Sequence, residues 1–459
     1  MILALDGLNL EQAQVLASKL SCFADLRGKF SKLNGSHSAV QSVWSEILTG
    51  KPWFEVGCPG YSRPNSSLTD LRIIDEADLL APAKLTGGLG SVTINVPLLR
   101  PQSDRIWLSD GSLPMQVMVS PAELAQQAPF SHYVARAFAS TNIALANVGE
   151  SVVNCLEVES IRLNCFENLL DRDTWSRCIL RISVFDILSH LVGNEFLTAS
   201  NLSVSAHIDR FIERLDKVLR QIERKGLAVC LLSAYSHVDC YARVNLNRIL
   251  ELSGFCHTEY AGAMVVDERT RRRAVAANLV NAANGGKVGG FPDKRADGSA
   301  DKHAEGSADA HDAASADKHA AVSSSMQVIA GRSVAMSPVQ GAIYINRKDR
   351  FVDGVVEAAE YIQVRRQVRD ALRHQLTASI GAGFTIWENT DEQEFAPDLM
   401  VFASGVDFHD SSALSAVDLV NRPRCIHCAQ GFVWLPAGLA TDAQVLAPVQ
   451  VGELLINGA

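Results

Sequence analysis

A rhythm in the first half of the chain most constrains its fold: short apolar runs that stop at a small or acidic residue alternate with longer stretches of helical spacing. Ile2 to Leu5 is a strand-sized apolar run ending at Asp6-Gly7, and residues 10–20 then set Leu10, Ala13, Leu16, Ala17 and Leu20 on one face of a helix. Further on, Ile208, Phe211, Ile212, Leu215, Val218, Leu219 and Ile222 recur at intervals of three and four, predicting a helix over 205–224. Gly226 ends it, and residues 227–232 read as a buried parallel strand that gives way at Ser233 to Ala234-Tyr235-Ser236-His237. Strand and helix in turn predict an α/β chain around a mostly parallel sheet, and open sheets of that kind place ligands beyond the carboxyl ends of their strands. Asp6-Gly7 and the loop after Ser233 are therefore expected at a site.

The 459 residues, 47% hydrophobic and 20% charged, suffice for one large core. A formal net charge of −9 argues against nucleic acid as a partner. The ten cysteines lack the short, even spacing of a disulfide framework and read as reduced, buried thiols. The first residues have no basic stretch and no apolar segment of signal-peptide length, and no run approaches the ~20 apolar residues of a membrane span. The expectation is a cytoplasmic protein without a membrane anchor.

Composition changes between residues 284 and 325, where Gly, Ala, Ser, Asp, Lys and His dominate and Ala-Asp-Lys-His-Ala occurs twice. It reads as a low-complexity, disordered insertion. Its His303, His311 and His319, eight residues apart, loosely suggest metal binding, but the composition favours a surface loop. The expected organisation is one domain in two pieces, 1–283 and 326–459, around this insertion. The second piece opens with a strand at 341–346 and a helix over about 357–376.

Scattered through the chain are Leu5-Asp6-Gly7; Ser42-Val43-Trp44-Ser45-Glu46-Ile47-Leu48-Thr49-Gly50-Lys51; Asn95-Val96-Pro97; Asp186-Ile187-Leu188-Ser189-His190; Val244-Asn245-Leu246-Asn247; and Gly254-Phe255. Ile343-Tyr344-Ile345-Asn346, Arg350, Gly354-Val355-Val356, Glu360-Tyr361, Ala396-Pro397-Asp398-Leu399 and His427 with Gly431 follow. In this order they resemble the alkaline phosphatase superfamily, in particular its phosphodiesterase and nucleotide pyrophosphatase-like branch. The resemblance spans nearly the whole chain and implies an alkaline phosphatase-like three-layer α/β sandwich.

It also implies a chemistry. Phosphate ester hydrolysis needs an activated hydroxyl and positive charge against the phosphoryl oxygens, which two metal ions about 4 Å apart supply together. By the resemblance, Asp186, His190 and His427 hold one divalent ion, zinc or manganese, and Ser45 is the nucleophile with Asp6 at a second ion. That second site departs from the family's pattern: Ala234 and Tyr235 stand where an Asp-His pair is expected, and Val56 where another His is. Ser45 is left without the cation that would activate it. His237 would substitute only if its loop were re-registered.

Two readings of function follow. One is a metal-dependent hydrolase of phosphate mono- or diesters that uses Ser45 and takes a phosphate-ester small molecule. The other is a pseudoenzyme that keeps the fold and one ion as a binding or scaffold protein. Among the remaining features, Cys425-Ile426-His427-Cys428 lacks the second pair of a zinc knuckle and reads as buried thiols around a His. Trp44 reads as core packing, and the arginine-rich 269–273 as a solvated charge run.

Overall fold

Alternation along the strands divides the molecule into layers. The computed structural model describes residues 1–21, 30–35, 38–87, 90–111, 118–133, 148–172, 175–198, 203–260, 326–391, 393, 395–409, 416–419, 425–436, 438–439, 441 and 443–458. The low-complexity stretch at 284–325 and the arginines at 269–273 lie outside them.

The main sheet runs, from edge to edge, Val445–Leu446, Ser31–Asn34, Gln430–Trp434, Cys230–Ser233, Ile2–Leu5, Arg177–Ile182, Ser91–Ile94, Arg105–Leu108 and Val119–Ser120. The stretch from Cys230–Ser233 to Arg105–Leu108 is parallel throughout, with antiparallel neighbours Gln430–Trp434 and Val119–Ser120 on its two sides. Leu3 and Leu5 enter one core cluster with Leu180, Ile182 and Leu231, while Ile2 and Ala4 enter another with Ile179, Cys230 and Leu232. A slip of one residue would exchange the two sets, so burial on both faces fixes the register.

Helices Leu10–Lys19, Val148–Leu170 and Ser205–Arg224 cover the first cluster, and Val40–Thr49 and Pro448–Asn457 the second. The result is the three-layer α/β sandwich expected. In Ser205–Arg224 the seven predicted face residues are all buried, each contributing about 1.5–3 kcal/mol of apolar transfer before entropy is counted. The predicted strand over 227–232 forms later, at Cys230–Ser233, because its register is set by pairing with Ile2–Leu5. Among the described residues no helix is long and apolar enough to cross a membrane.

A third cluster builds a smaller lobe. Its antiparallel sheet has the order Ala335–Val339, Ala342–Ile345, Leu399–Ala403 and Phe384–Glu388, packed by helices Tyr361–Ile380 and Leu246–Leu252. The helix expected from 357 begins at Tyr361, after a 3-10 turn at Ala358–Glu360.

Most of the late sequence motifs are spent on this lobe. Asn346 Nδ2 donates to the carbonyls of Ala330, Ser333 and Asp353 at 2.8, 3.0 and 2.9 Å. Buried Asp398 accepts from the Ile345 amide at 2.7 Å and the Tyr361 hydroxyl at 2.6 Å, and Arg350 donates to the Ala396 carbonyl at 3.0 Å. Buried polar groups must be satisfied or they destabilise, and these side chains satisfy backbone groups.

Candidate metal centre

The parallel strands end beneath two loops and a helix. Ile182 leads through Ser183 into helix Val184–Val192, which carries Asp186 in its first turn and His190 one turn later, on the same face. The chain after Ser233 turns into strand Ser236–Asp239, which pairs antiparallel with Cys425–Cys428 and sets His237 directly opposite His427. Four ligand atoms meet there, one each from Asp186, His190, His237 and His427, all within 4.8 Å of one another.

Asp186 Oδ1 lies 3.0 Å from His427 Nε2, 3.0 Å from His237 Nε2 and 3.6 Å from His190 Nε2. His190 Nε2 lies 3.2 Å from the Nε2 atoms of both His427 and His237. The Nδ1 atoms of two rings are already committed, His190 to the Cys425 carbonyl at 3.0 Å and His237 to the Gly7 carbonyl at 3.4 Å. A carbonyl only accepts, so those protons sit on Nδ1 and the Nε2 lone pairs turn inward. Backbone carbonyls fix metal-binding imidazoles in this way.

Burial, only partly offset by Asp186, pulls the His190 imidazole down to about 4 and keeps its lone pair free. For Asp186, burial works upward but is outweighed by the surrounding imidazoles, His427 first, and the carboxyl is held well below the usual range. A carboxylate and three imidazoles converging with acceptor atoms suit a divalent transition-metal ion, zinc foremost.

Close packing holds the carriers in place. Gly7, at φ +99°, has no room for a side chain: a Cβ would come within 2.4 Å of the Asp186 amide nitrogen. At Gly431 a Cβ would meet the Ser233 carbonyl oxygen at 1.9 Å, so this glycine lets the Gln430–Trp434 strand lie against Cys230–Ser233. Behind the helix, buried Glu159 accepts from the Ser183 amide at 2.8 Å, the Ser183 hydroxyl at 2.7 Å and Arg162 at 2.7 Å.

The other expected half of the site is filled by protein. Asp6 is fully buried and accepts from Arg181 Nε at 2.6 Å, Trp44 Nε1 at 2.8 Å and the Ala234 amide at 2.9 Å. Arg181 also donates to the Tyr235 hydroxyl at 3.0 Å. Burial opposes the charge on Arg181, but the Tyr235 oxygen and Asp6 more than compensate and hold the guanidinium firmly protonated. Burial pushes the Tyr235 phenol well up, so it is neutral. A fixed cation thus occupies the carboxylate that would otherwise face a second ion.

Ser45 is not part of either group. It is fully buried within helix Val40–Thr49, and its hydroxyl donates to the Ser42 carbonyl at 2.7 Å. Trp44 is the residue of this helix that reaches Asp6; it packs in the second core cluster, as expected, and adds a hydrogen bond to the carboxylate. Val56 is buried, with its backbone tied to Pro52 and Leu80 at 3.2 Å each. His237 needs no re-registration, since it joins the Asp186 set and not the vacated pair. Cys425 and Cys428 are buried free thiols.

Arg181 escaped the sequence reading although a signal existed. It is a charge inside strand Arg177–Ile182, between the apolar run 178–180 and Ile182, and a buried position cannot carry one without a partner. His237 was visible as a residue, but its partner His427 lies 190 positions away in another strand.

Comparison with solved structures places the architecture. Phosphonoacetate hydrolase from Sinorhizobium meliloti 1021, in complex with phosphonoformate, is similar with a TM-score of 0.52 and 11% identity, over 100% of this chain and 95% of that one. Human ectonucleotide pyrophosphatase/phosphodiesterase 5 has a TM-score of 0.46 and 9% identity, over 99% and 93%. The alkaline phosphatase PafA has a TM-score of 0.48 and 10% identity, over 99% and 95%. No protein-family model matches the sequence, and no curated protein matches it. The chain shares the overall fold of that phosphonoacetate hydrolase, an α/β sandwich of the kind the sequence resemblance implies.

Proposed function

We propose that this chain is a one-ion metalloprotein on a phosphoester-hydrolase fold, in which the half of the site that would activate a nucleophile is replaced by an internal ion pair. The carrying observation is the 2.6 Å contact of Arg181 Nε with Asp6, in a carboxylate sealed from solvent by two further donors. A second divalent ion would have to displace a buried guanidinium from its counter-charge, and breaking such a pair costs about 3–5 kcal/mol. Ser45, committed to its own helix, supports the same reading.

Asp186, His190, His237 and His427 would hold the ion, with zinc favoured over manganese by three nitrogen donors. When bound, it supplies concentrated positive charge at the carboxyl edge of the sheet. Asp6, Arg181 and Tyr235 keep the neighbouring ground neutral and dry. The nine described cysteines, all free and buried, support a reducing compartment such as the cytoplasm.

The test joins elemental analysis of the purified protein to turnover assays with p-nitrophenyl phosphate and bis(p-nitrophenyl) phosphate in zinc or manganese. One ion per chain, with no turnover above a Ser45→Ala control, is expected. Two ions per chain, or turnover that Ser45→Ala abolishes, would overturn the proposal. A second reading, an active phosphoester hydrolase, is favoured by the exposure of the His190 and His427 side chains, 34% and 29%, which leaves the cluster open to a small phosphate ester. Metal-dependent turnover indifferent to Ser45 would select it.

A further inference from the structure

The geometry points to a coordination shell that His237 closes: the ion has four protein ligands and no position for a substrate, and it clamps three distant segments of the chain together. This rests on the one-ion reading and adds the role of the ion. Five of the six distances among the ligand atoms, Asp186 Oδ1 and the Nε2 atoms of His190, His237 and His427, fall between 3.0 and 3.6 Å. Ligands at about 2.0–2.1 Å from a tetrahedral zinc are separated by about 3.3 Å, so these five edges match a closed tetrahedron, and the sixth, between His237 and His427, is within 4.8 Å. Structural zinc sites take four protein ligands, whereas catalytic ones keep three and an open position.

What the four ligands join is equally telling. Asp186 and His190 come from helix Val184–Val192, His237 from strand Ser236–Asp239 and His427 from strand Cys425–Cys428. The two strands form a sheet of their own, outside the main one, held to each other by a single ladder. His237 is buried at the centre of the group, with its ring centroid 4.5 Å from that of His190 and 4.9 Å from that of His427. An ion there ties this small ribbon to the helix, and its binding energy becomes folding energy for the segment.

Cobalt(II) substitution of the metal-stripped full chain tests this directly. The expected result is the intense visible absorption of four-coordinate cobalt, unmoved by excess inorganic phosphate or phosphonoformate, with a rise in melting temperature on loading. His237→Ala should weaken cobalt binding by more than the roughly 10–100-fold that loss of an outer partner costs, and should make the spectrum weaker and phosphate-sensitive. A weak five- or six-coordinate spectrum in the unaltered chain, or a shift on adding phosphate, overturns the closed shell even if His237→Ala fails to fold. Uptake of no cobalt defeats the one-ion reading itself, whereas uptake with an open spectrum leaves that reading standing and defeats only the clamp.

Discussion

Two carboxylates lie at neighbouring strand ends and are treated in opposite ways. Asp6 follows the first strand, is sealed from water and has its charge answered by Arg181, Trp44 and a backbone amide. Asp186 follows the adjacent strand, is partly open and is met by the Nε2 atoms of three imidazoles. A buried charge destabilises unless it is paired. One carboxylate has its counter-charge within the chain, and the other is met by imidazoles in an arrangement that could hold an ion. On the proposed one-ion reading, Arg181 completes a change that Ala234 and Tyr235 begin: it gives Asp6 a counter-charge from within the chain.

Removing that side chain should have the largest effect. Arg181→Met leaves Asp6 buried without its counter-charge and is expected to lower stability by about 3–5 kcal/mol in urea unfolding. Adding Asp6→Asn should recover much of the loss. A drop of less than about 1 kcal/mol would mean that the dry half does not depend on its ion pair.

Glu46, two residues beyond Trp44 in the same helix, tests a second buried carboxyl through pH, one with no ion-pair partner among the described residues. Burial raises its carboxyl to about 7, against the amide of Trp53 that favours the ionised form. Between pH 4.5 and about 7 the unfolded chain sheds this proton while the folded one keeps it, so stability should fall with rising pH across that window and level off above it. The shift corresponds to about 3 kcal/mol. Glu46→Gln should therefore be more stable than the parent above pH 7 by up to that amount and equal to it below pH 4.5. Denaturation curves at pH 4, 6 and 8 that stay parallel in both proteins would remove Glu46 from this account.

The wet half rests on a buried support, and Glu159→Gln probes it. Loss of charge toward Arg162 and Ser183 should reduce stability by about 1.5–3 kcal/mol and weaken zinc affinity together, since Ser183 starts the helix of Asp186 and His190. Zinc affinity that holds steady while stability falls would separate the support from the site.

The smallest expected effect sharpens the contrast most. His190→Ala should change metal-free stability by no more than about 1 kcal/mol, since one member of the pair is partly exposed, yet sharply lower zinc affinity measured by competition with a chelating dye. A large metal-free loss would show that the imidazole packs for stability as Arg181 does.

The late motifs teach a different lesson about legibility. Asn346, Arg350, Tyr361 and Asp398 resembled the family most specifically, and each of them ties backbone or side chains of the smaller lobe. Such residues mark the fold well because backbone groups buried in one way need the same partner. They say little about chemistry.

Local periodicity alone determined the strand–helix alternation, the long helix at Ser205–Arg224 and the loops at the carboxyl ends of the strands, because apolar spacing reports which face of an element is buried. The pairing of Asp186 with His190 was also legible, being one helical turn apart. The arrival of His237 opposite His427 and the capture of Asp6 by Arg181 were decided by tertiary structure. Each depends on which strands become neighbours and on how deeply a charge is buried, and neither quantity is a property of any short stretch of sequence.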